Sequence, residues 1–245
     1  MPLQPNKLIS KAGYLLDDIF AFICAPRCPG CEAFLENPRE QLCPNCDSKL
    51  SYTGDGPVCL LCRSPEAVGC ACSNEFDFHL PQLYFWTKYT DVIRALIHRF
   101  KFEKQMELGV YLTVKALGQL HQRMLSASFD IIIPIPMTAS DKRKRTFNQT
   151  EIMARTLAKQ FGRPYDTTIL RKIKPTRLQA NLGQQERWQN IKGAFAVDKP
   201  EEVAGKAILL IDDIVTTGAT SLEASKALFA VGGKSVTVFA IASSH

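Results

Sequence analysis

Residues 208–221, ILLIDDIVTTGATS, place two carboxylates and a run of small hydroxyl residues directly after an apolar segment. The apolar part is typical of a strand buried on both faces of a parallel sheet, and amides at the start of a following helix are suited to bind an anion. Ionised carboxylates accept hydrogen bonds from neighbouring hydroxyl groups and also bind Mg²⁺. The segment therefore predicts a ligand that carries a ribose and a 5′-phosphate. We expect its hydroxyls at Asp212 and Asp213, and its phosphate at Thr216, Thr217, Gly218, Ala219 and Thr220.

Two other interpretations of this segment explain less of it. An apolar strand followed by acidic residues also resembles the Mg²⁺-binding strand of P-loop nucleoside triphosphatases, but none of the 14 glycines belongs to the required G-x-x-x-x-G-K-[ST] pattern. The G-x-G-x-x-G pattern of dinucleotide-binding proteins is absent as well. A helix cap alone would account for Asp213 or Thr216, but not for the whole run.

All nine cysteines lie between residues 24 and 72, and eight of them form four closely spaced pairs. Two C-x-x-C turns present four thiolates toward one point, which is the ligand set of a tetrahedral zinc site. We expect one or two structural zinc ions, because catalytic zinc sites normally include histidine or carboxylate ligands and keep one position for water. The expected ligands are Cys28, Cys31, Cys43, Cys46, Cys59, Cys62, Cys70 and Cys72.

The sequence does not show which two pairs bind the same metal ion, since the pairs can combine in sequence order or in an interleaved arrangement. Disulfides and thioredoxin-like redox chemistry are the alternatives to zinc. Disulfides would need an oxidising compartment, and four pairs in so short a segment do not fit a redox motif. Cys24 is expected to be a buried thiol outside the zinc sites.

Charge and cysteine content both change near residue 80. Residues 1–80 hold 6 Lys and Arg against 10 acidic residues, whereas residues 81–245 hold 24 against 14. We expect an N-terminal helix and zinc-ribbon or knuckle module in 1–80 and a second domain in 81–245. Within the second domain, residues 141–177 hold eleven Lys and Arg and three acidic residues. This basic stretch predicts contact with phosphates, either of a small molecule or of a nucleic acid.

The run GYLLDDIFAFICA, residues 13–25, carries Asp17 and Asp18 in its apolar part, which a secretory signal would not. We expect it to form a packing helix. No stretch reaches the ~18 apolar residues that a membrane-spanning helix needs. These features predict a cytoplasmic protein without a transmembrane segment.

From residue 82 onward, segments with the pattern of strands alternate with segments that have the period of helices. Such alternation predicts an α/β fold, in which a parallel sheet carries helices on both faces. In this architecture ligands bind at the carboxyl ends of the strands. The expected strands are 82–89, 130–136, 167–173, 206–213 and 234–242, and the expected helices are 90–102, 104–125, 147–162 and 219–233.

The motifs of the chain resemble those of type I phosphoribosyltransferases and, more specifically, those of the ComF family of competence-associated, GntX-like proteins. ILLIDDIVTTGATS resembles the loop that binds phosphoribosyl pyrophosphate (PRPP) in these enzymes. The leading Cys pairs, LIHRFKF, PIPMTASDKRKRTFNQ and TRLQANLGQQERWQNIKGAF precede it in the family's order. The resemblance covers residues 20–242 and implies a type I phosphoribosyltransferase fold preceded by a small Cys-rich zinc-binding domain.

The resemblance also implies that PRPP binds with Mg²⁺ at residues 212–220. The loop after PIP would approach the pyrophosphate, and residues 176–187 correspond to the mobile loop of type I enzymes. The residues expected to contact pyrophosphate or to close over the site are Lys101, Arg143, Arg145, Arg177, Gln179 and Arg187. At one position the chain departs from the family, because Thr146 replaces the glycine of R-G-F-N-Q. A β-branched residue resists a positive φ, so a turn that needs one would change the contact with pyrophosphate.

Two functional hypotheses follow. The resemblance implies a role in handling single-stranded DNA during natural transformation, with PRPP, single-stranded DNA and other DNA-uptake proteins as partners. The alternative is an active phosphoribosyltransferase that supplies positioning and cationic stabilisation while a small acceptor displaces pyrophosphate. No motif identifies that acceptor or a general base. Phe100, Phe102 and Phe147 lie near basic residues and could stack bases, but their helical spacing favours core packing.

Overall fold

The computed structural model of the chain describes residues 26–37, 39–50, 56–126, 128–138, 142–143, 147–176 and 184–244. Internal contacts divide the chain into two compact units, Met1–Lys49 and Leu50–His245. The run 13–25 and its Cys24 lie outside the described residues. The boundary between the two units, after Lys49, comes earlier in the chain than the change in charge and cysteine content near residue 80. The reason is that the segment with the last four cysteines contributes a strand to the sheet of the larger unit.

The described part of the smaller unit is a short turn followed by one short helix. An isolated antiparallel bridge joins Arg27 and Phe34, and α1 spans Pro44–Ser48. A proline is favoured at the first helical position, where an N–H group would have no intrahelical partner. Cys28 and Cys46 are among the buried residues of this unit, so two of its thiols lie in its interior.

The larger unit is built on a six-stranded sheet with the order β1-β2-β8-β6-β3, in which β7 also pairs with β8. Strands β2, β8, β6 and β3 run parallel, while β1 is antiparallel to β2. The predicted α/β class with a mostly parallel sheet is therefore confirmed. The strand bounds are β1 Val58–Cys59, β2 Gln82–Lys88, β3 Ile131–Pro134, β6 Ala207–Ile211, β7 Ile214–Val215 and β8 Ser235–Ser243.

Helices cover both faces of this sheet. Ile208 and Leu210 of β6 belong to one apolar cluster with Leu222 and Leu228, which lie on α6. Because side chains alternate along a strand, the intervening residues of β6 point to the opposite face, where α3 and α4 pack against the sheet. The helix bounds are α2 Asp91–Phe102, α3 Met106–Ser126, α4 Gln149–Phe161, α5 Gln184–Ile191 and α6 Ala219–Ala230.

The predicted strand at 167–173 exists, but it does not join the parallel sheet. Its ordered part, β4 (Leu170–Lys172), pairs antiparallel with β5 (Phe195–Val197) in a separate two-stranded ribbon. Leu170 and Phe195 are buried in the same cluster as α6. Strand propensity reflects a fit to a half-buried pleated surface and does not identify the partner strand, so the sequence pattern could not place β4.

The two tryptophans of the chain occupy different environments. Trp86 of β2 is fully buried, and its indole Nε1–H donates to Gln119 Oε1 on α3 at 2.8 Å. Trp188 of α5 is partly buried against the cluster that includes α6.

Among the described helices, none combines the length and the apolar character that crossing a bilayer requires.

The helices that follow β3 and β6 pack on opposite faces of the sheet. These two strands are adjacent and parallel. Helix α4 follows β3 on one face, and α6 follows β6 on the other. The carboxyl ends of β3 and β6 therefore border a crevice of the kind in which open α/β sheets bind their ligands.

Candidate phosphate and metal sites

A tight turn connects the carboxyl end of β6 to α6 through β7. Gly218, at φ 81, is the N-cap of α6, and its carbonyl accepts the first intrahelical bond from Leu222 N–H at 2.8 Å. The amide groups before Leu222 lie outside the intrahelical ladder. The Thr217 hydroxyl accepts a hydrogen bond from Ala219 N–H at 3.3 Å. The turn thus brings helix N-terminal amides and small hydroxyl groups together at the crevice, and the binding of a phosphate there stays a prediction.

Asp212 lies beneath this turn. Its carboxylate accepts hydrogen bonds from the Ser221 hydroxyl at 2.8 Å and from Asp213 N–H at 2.9 Å. Burial, followed by the charge of Asp213, raises the pKa of Asp212 to about 7. The carboxylate therefore ties the end of β6 to the first turn of α6, and its direct contact with a ribose hydroxyl stays a prediction.

Asp213 forms an ion pair with Lys101 at the end of α2. The Lys101 ammonium lies 2.6 Å from Asp213 Oδ2, and the two side chains are only 17% and 13% exposed. A partly buried pair of this kind is screened much less by salt than a surface pair. The sequence assigned Lys101 to the pyrophosphate and Asp213 to the ribose, and the structure brings the two side chains together.

Three buried polar side chains at the start of α4 fix the other side of the crevice. Asn148 Nδ2–H and the Thr150 hydroxyl both donate to the carbonyl of Ile135, at 3.1 and 2.7 Å. Gln149 Nε2–H donates to the carbonyl of Lys101 at 3.4 Å. They hold the loop after β3 and the end of α2 in place. The sequence pattern did not indicate a role for them, although adjacent polar residues at the start of an apolar helix need internal partners once buried.

The remaining residues predicted to contact pyrophosphate are described in part. Arg143 is exposed, and it follows Lys142, whose N–H donates to the carbonyl of Thr138 at 2.9 Å. Arg187 is half-buried on α5. Arg145, Arg177, Gln179 and the family-departing Thr146 lie outside the described residues.

The three phenylalanines near these basic residues differ in exposure. Phe100 is fully buried, and its ring centroid lies 5.9 Å from that of Phe147. Phe102 is 53% exposed and lies 4.8 Å from the ring of His98. Phe100 therefore belongs to the core, as its spacing predicted, and Phe102 has an aromatic surface open to solvent.

The eight paired cysteines form two groups of four in sequence order. Within each group all four Sγ atoms lie within 4.8 Å of one another. A tetrahedral site with Zn–S bonds of about 2.3 Å places its sulfurs about 3.8 Å apart, and Cys31 Sγ lies 3.6 Å from Cys43 Sγ. Both groups therefore fit a zinc ion, and the interleaved arrangement is excluded. The groups are Cys28, Cys31, Cys43 and Cys46, and Cys59, Cys62, Cys70 and Cys72.

Backbone hydrogen bonds favour the ionised form of one cysteine in each group, Cys28 in the first and Cys62 in the second. Burial disfavours ionisation of Cys28, but N–H groups, including that of Cys43 at 3.4 Å, outweigh it and lower the pKa of Cys28 to about 7. In the second group burial also opposes ionisation, yet Ser64 N–H at 3.5 Å helps to lower the pKa of Cys62. Burial raises the pKa of Cys72 to about 12. A bound dication would stabilise all four thiolates, and an all-cysteine ligand set is that of a structural zinc site.

Both groups begin with the same backbone turn, which we call the knuckle. The residue after the second cysteine donates its N–H to the carbonyl of the first, from Glu32 to Cys28 at 2.7 Å and from Arg63 to Cys59 at 3.0 Å. Glu32 and Arg63 also share a positive φ, 64 and 63. The C-x-x-C spacing predicted two turns, whereas their common backbone geometry is visible only in the structure.

Two cavities of the larger unit differ in their relation to the crevice. One of about 350 Å³ adjoins the loop after β3 and is lined by residues that include Pro136, Lys142 and Glu151. Another of about 510 Å³ lies at the amino end of β8, where Ser235 and His79 contribute to its wall. Because ligands of parallel sheets bind at the carboxyl ends of strands, the first cavity lies at the ligand-binding end of the sheet and the second does not.

Two solved structures of phosphoribosyl-handling enzymes show a weak likeness to this fold. Adenine phosphoribosyltransferase from Thermoanaerobacter pseudethanolicus aligns over 58% of this chain and 83% of that protein, with 14% identity and a TM-score of 0.35. Glutamine PRPP amidotransferase from Bacillus subtilis aligns over 55% of this chain and 25% of that protein, with 21% identity and a TM-score of 0.34. Both TM-scores are low, and no family model matches the chain. The assignment therefore rests on related sequences.

Competence protein F of Haemophilus influenzae is 30% identical over 231 residues, which cover 88% of this chain and 96% of that protein. The DNA utilization protein YhgH of Escherichia coli O157:H7 is 29% identical over 219 residues, covering 75% and 96%. Competence protein ComFC of Bacillus subtilis is 26% identical over 208 residues, covering 81% and 82%. On this nearly full-length relationship the chain belongs to the competence protein F (ComF) family.

Proposed function

We propose that the chain binds PRPP with Mg²⁺ at the turn between β6 and α6 and that it acts in handling single-stranded DNA during natural transformation. The observation that carries the ligand assignment is the Lys101–Asp213 ion pair, which lies at the carboxyl end of β6 on the segment that leads to Gly218, the N-cap of α6. A carboxylate, an ammonium and helix amides suit a ribose, a pyrophosphate and a 5′-phosphate, respectively.

The phosphate end of the ligand is supported by the turn itself. Helix N-termini favour anions because their amides lack intrahelical partners and the helix dipole is positive there. Thr216 and Thr217, half-buried at this turn, add hydroxyl groups without adding charge. A phosphate bound here would therefore be recognised by hydrogen bonds and by the helix dipole.

The ribose and pyrophosphate ends are supported by the ion pair. Asp213 can accept hydrogen bonds from two vicinal hydroxyls, and Mg²⁺ brought by the pyrophosphate would bind carboxylate oxygens. Lys101 balances the charge of Asp213 in the ligand-free protein, and its ammonium group would attract a pyrophosphate bound at this end of the sheet. The Mg²⁺ supplies Lewis-acid stabilisation of the leaving pyrophosphate if turnover takes place.

The DNA part of the proposal is supported by relatives and by charge. The names of the relatives refer to competence and to DNA utilization. In the basic stretch, Lys142, Arg143, Arg155 and Lys159 are exposed, and exposed cations bind a phosphate backbone without strong sequence preference.

The ligand assignment is tested by thermal unfolding with PRPP and Mg²⁺. Ligand at about 100 times its Kd stabilises the folded state by about 2.7 kcal/mol. We expect a clear rise in Tm for the wild type and a loss of affinity on the order of tenfold or more for Asp213→Asn, because hydrogen bonds to a charged group are removed.

Glu202→Gln is the matched control, since Glu202 also pairs with a lysine, Lys206, at 2.7 Å, but before β6 rather than after it. It should leave the ligand-induced shift unchanged. An equal shift in wild type and Asp213→Asn would contradict the assignment. Pyrophosphate release in the same samples, with and without single-stranded DNA, separates binding from turnover.

A further inference from the structure

The side chain of Arg63 leaves the second knuckle and reaches the candidate phosphate turn. Its Nε–H donates to the hydroxyl of Ser243 at 2.9 Å, and its Nη2–H donates to the carbonyl of Thr216 at 2.8 Å. Ser243 is fully buried at the end of β8. One guanidinium thus connects the knuckle to the last strand and to the residue that opens the turn.

The backbone of the same knuckle also touches this turn. A Cβ atom on Gly218 would lie 2.7 Å from the carbonyl oxygen of Leu60 and 3.3 Å from Leu60 Cγ. Real Cβ atoms essentially never approach a backbone oxygen so closely, and the φ of 81 also favours glycine. The N-cap of α6 is therefore seated directly against the segment between Cys59 and Cys62.

The comparison of the two knuckles separates the role of the Arg63 backbone from that of its side chain. Glu32 has the same positive φ in the first knuckle, so this conformation belongs to the knuckle itself. Glycine would adopt it at lower cost than arginine. What Arg63 adds is a side chain that hydrogen-bonds to the turn and to β8.

We infer that the second cysteine group is a support for the phosphate turn, and that Arg63 is the positioning residue through which its metal occupancy controls the order of residues 214–222. The consequence for PRPP affinity rests on the proposed function, whereas the coupling between knuckle and turn does not. A metal ion bound by this cysteine group would fix the backbone of the knuckle and thereby the positions of Arg63 and Leu60. These two residues contact the turn and stabilise the conformation that exposes the α6 amides.

Charge contributes to this support. The Arg63 side chain is half-buried, and its enclosed Nη1 atom has no hydrogen-bond partner among the described residues. A zinc ion bound by four thiolates leaves a site with a net charge of about −2, and Cys59 and Cys62 attract this guanidinium. Loss of the metal would release the knuckle from its fixed geometry, so the guanidinium would lose its fixed anchor.

Arg63→Gly tests the inference, because glycine keeps the backbone conformation and removes only the side chain. Zinc content, ligand-free amide hydrogen exchange of residues 214–222, and PRPP affinity are measured together. We expect unchanged zinc content, faster exchange in 214–222, and PRPP binding about tenfold weaker, since two hydrogen bonds from a charged donor are lost. Glu32→Gly is the matched control and should change neither exchange nor affinity.

A second pair of variants tests the metal. Cys62→Ser should lose one zinc and accelerate exchange in 214–222, whereas Cys31→Ser, in the other compact unit, should lose one zinc and leave this segment protected. Unchanged exchange in both Arg63→Gly and Cys62→Ser overturns the inference. If the wild type does not bind PRPP, the proposed ligand is wrong, while the exchange measurements still decide whether knuckle and turn are coupled.

Discussion

Two adjacent carboxylates at the end of β6 differ in what surrounds them. Asp213 faces a lysine at 2.6 Å, whereas Asp212 is enclosed and receives its hydrogen bonds from a hydroxyl and an amide. Burial and the neighbouring charge therefore raise the pKa of Asp212 to about 7. The ionised form of Asp212 is held at a cost to stability, and the turn it fixes is the one that we assign to ligand binding.

Asp212→Asn should stabilise the ligand-free protein increasingly as pH rises from about 4 to about 7. The folded-state pKa of Asp212 lies above the ordinary aspartate pKa of about 3.9, so in this window the folded protein binds a proton that the unfolded chain has released. Wild-type stability falls there by at most about 1.4 kcal/mol per pH unit, and the variant lacks this fall. Urea unfolding at pH 5, 6, 7 and 8 measures the difference.

Asp166→Asn provides a control of opposite sign. Burial would raise the pKa of Asp166, but hydrogen bonds from Thr168 and the Lys199 ammonium outweigh it and lower this pKa. Removal of that carboxylate should cost stability above its unfolded pKa. A stability difference between Asp212→Asn and wild type that does not change with pH would contradict the assigned ionisation.

At the residue scale the sequence predicted the strand-to-helix turn, but not the contacts that its side chains make. The run DDIVTTGATS predicted a turn from a strand to a helix, which the structure has between β6 and α6, while the ligand contacts of its residues stay a prediction. The sequence could not show that Asp212 would be enclosed, because its burial depends on the packing of Ser221 and β8. Nor could it show the role of Arg63, whose partners lie 153 and 180 residues away in the sequence.

The elements that bear the sites were predictable where local periodicity determines them. Helices α2, α3, α4 and α6 and the parallel strands follow the predicted ranges closely. The ribbon of β4 and β5 and the short strand β1 depend on which distant segment supplies a partner, and a propensity pattern holds no such information. The two knuckles could be predicted in part. Cysteine spacing predicts each turn, but only the structure shows which pairs of cysteines come together in one group.

Protein purified without added metal should contain two zinc ions per chain, one for each group of four cysteines. Elemental analysis or native mass spectrometry provides the count. Cys24→Ser is the matched control and should retain both ions, whereas Cys46→Ser should retain one. Because structural zinc contributes directly to folding, chelation should lower the Tm. A metal-free protein that melts cooperatively at the same temperature would show that zinc has no structural role.

Across the whole molecule, the excess of positive charge is confined to residues 81–245 and is greatest in the basic stretch. Helix α4 divides this stretch, since its 13 residues extend for about 20 Å. Lys142 and Arg143 precede α4 beside the crevice, whereas Arg163 follows it. A DNA strand that contacts the crevice would therefore contact Lys142 and Arg143 rather than Arg163. Lys142 and Arg143 also belong to the loop that we propose for pyrophosphate binding.

Single-stranded DNA should bind with an affinity that falls steeply with salt, with a slope in log–log form near −0.7 per phosphate contacted. Replacement of Lys142, Arg143, Lys144 and Arg145 by alanine should flatten this slope, and saturating PRPP should compete with DNA. Gel-shift titrations across salt, with and without PRPP, measure both effects.

The control for that experiment removes the same charge elsewhere, by alanine at Arg94, Lys206, Lys226 and Lys234. If both four-alanine variants flatten the slope equally, DNA responds only to net charge. If wild type shows no affinity even at low salt, the basic stretch serves the small ligand alone, and the enzyme hypothesis gains.

The environments of the two tryptophans give the chain a built-in optical probe. Trp86 of β2 is buried against α3, and its indole is already hydrogen-bonded. Its fluorescence emission should therefore be blue-shifted and insensitive to ligand binding at the crevice. Trp188 is half-buried on α5, a helix that packs against α6 and directly follows residues 177–183. Any movement of α5 or α6 on ligand binding would therefore alter the red-shifted part of the emission spectrum, while the Trp86 component serves as an internal intensity standard.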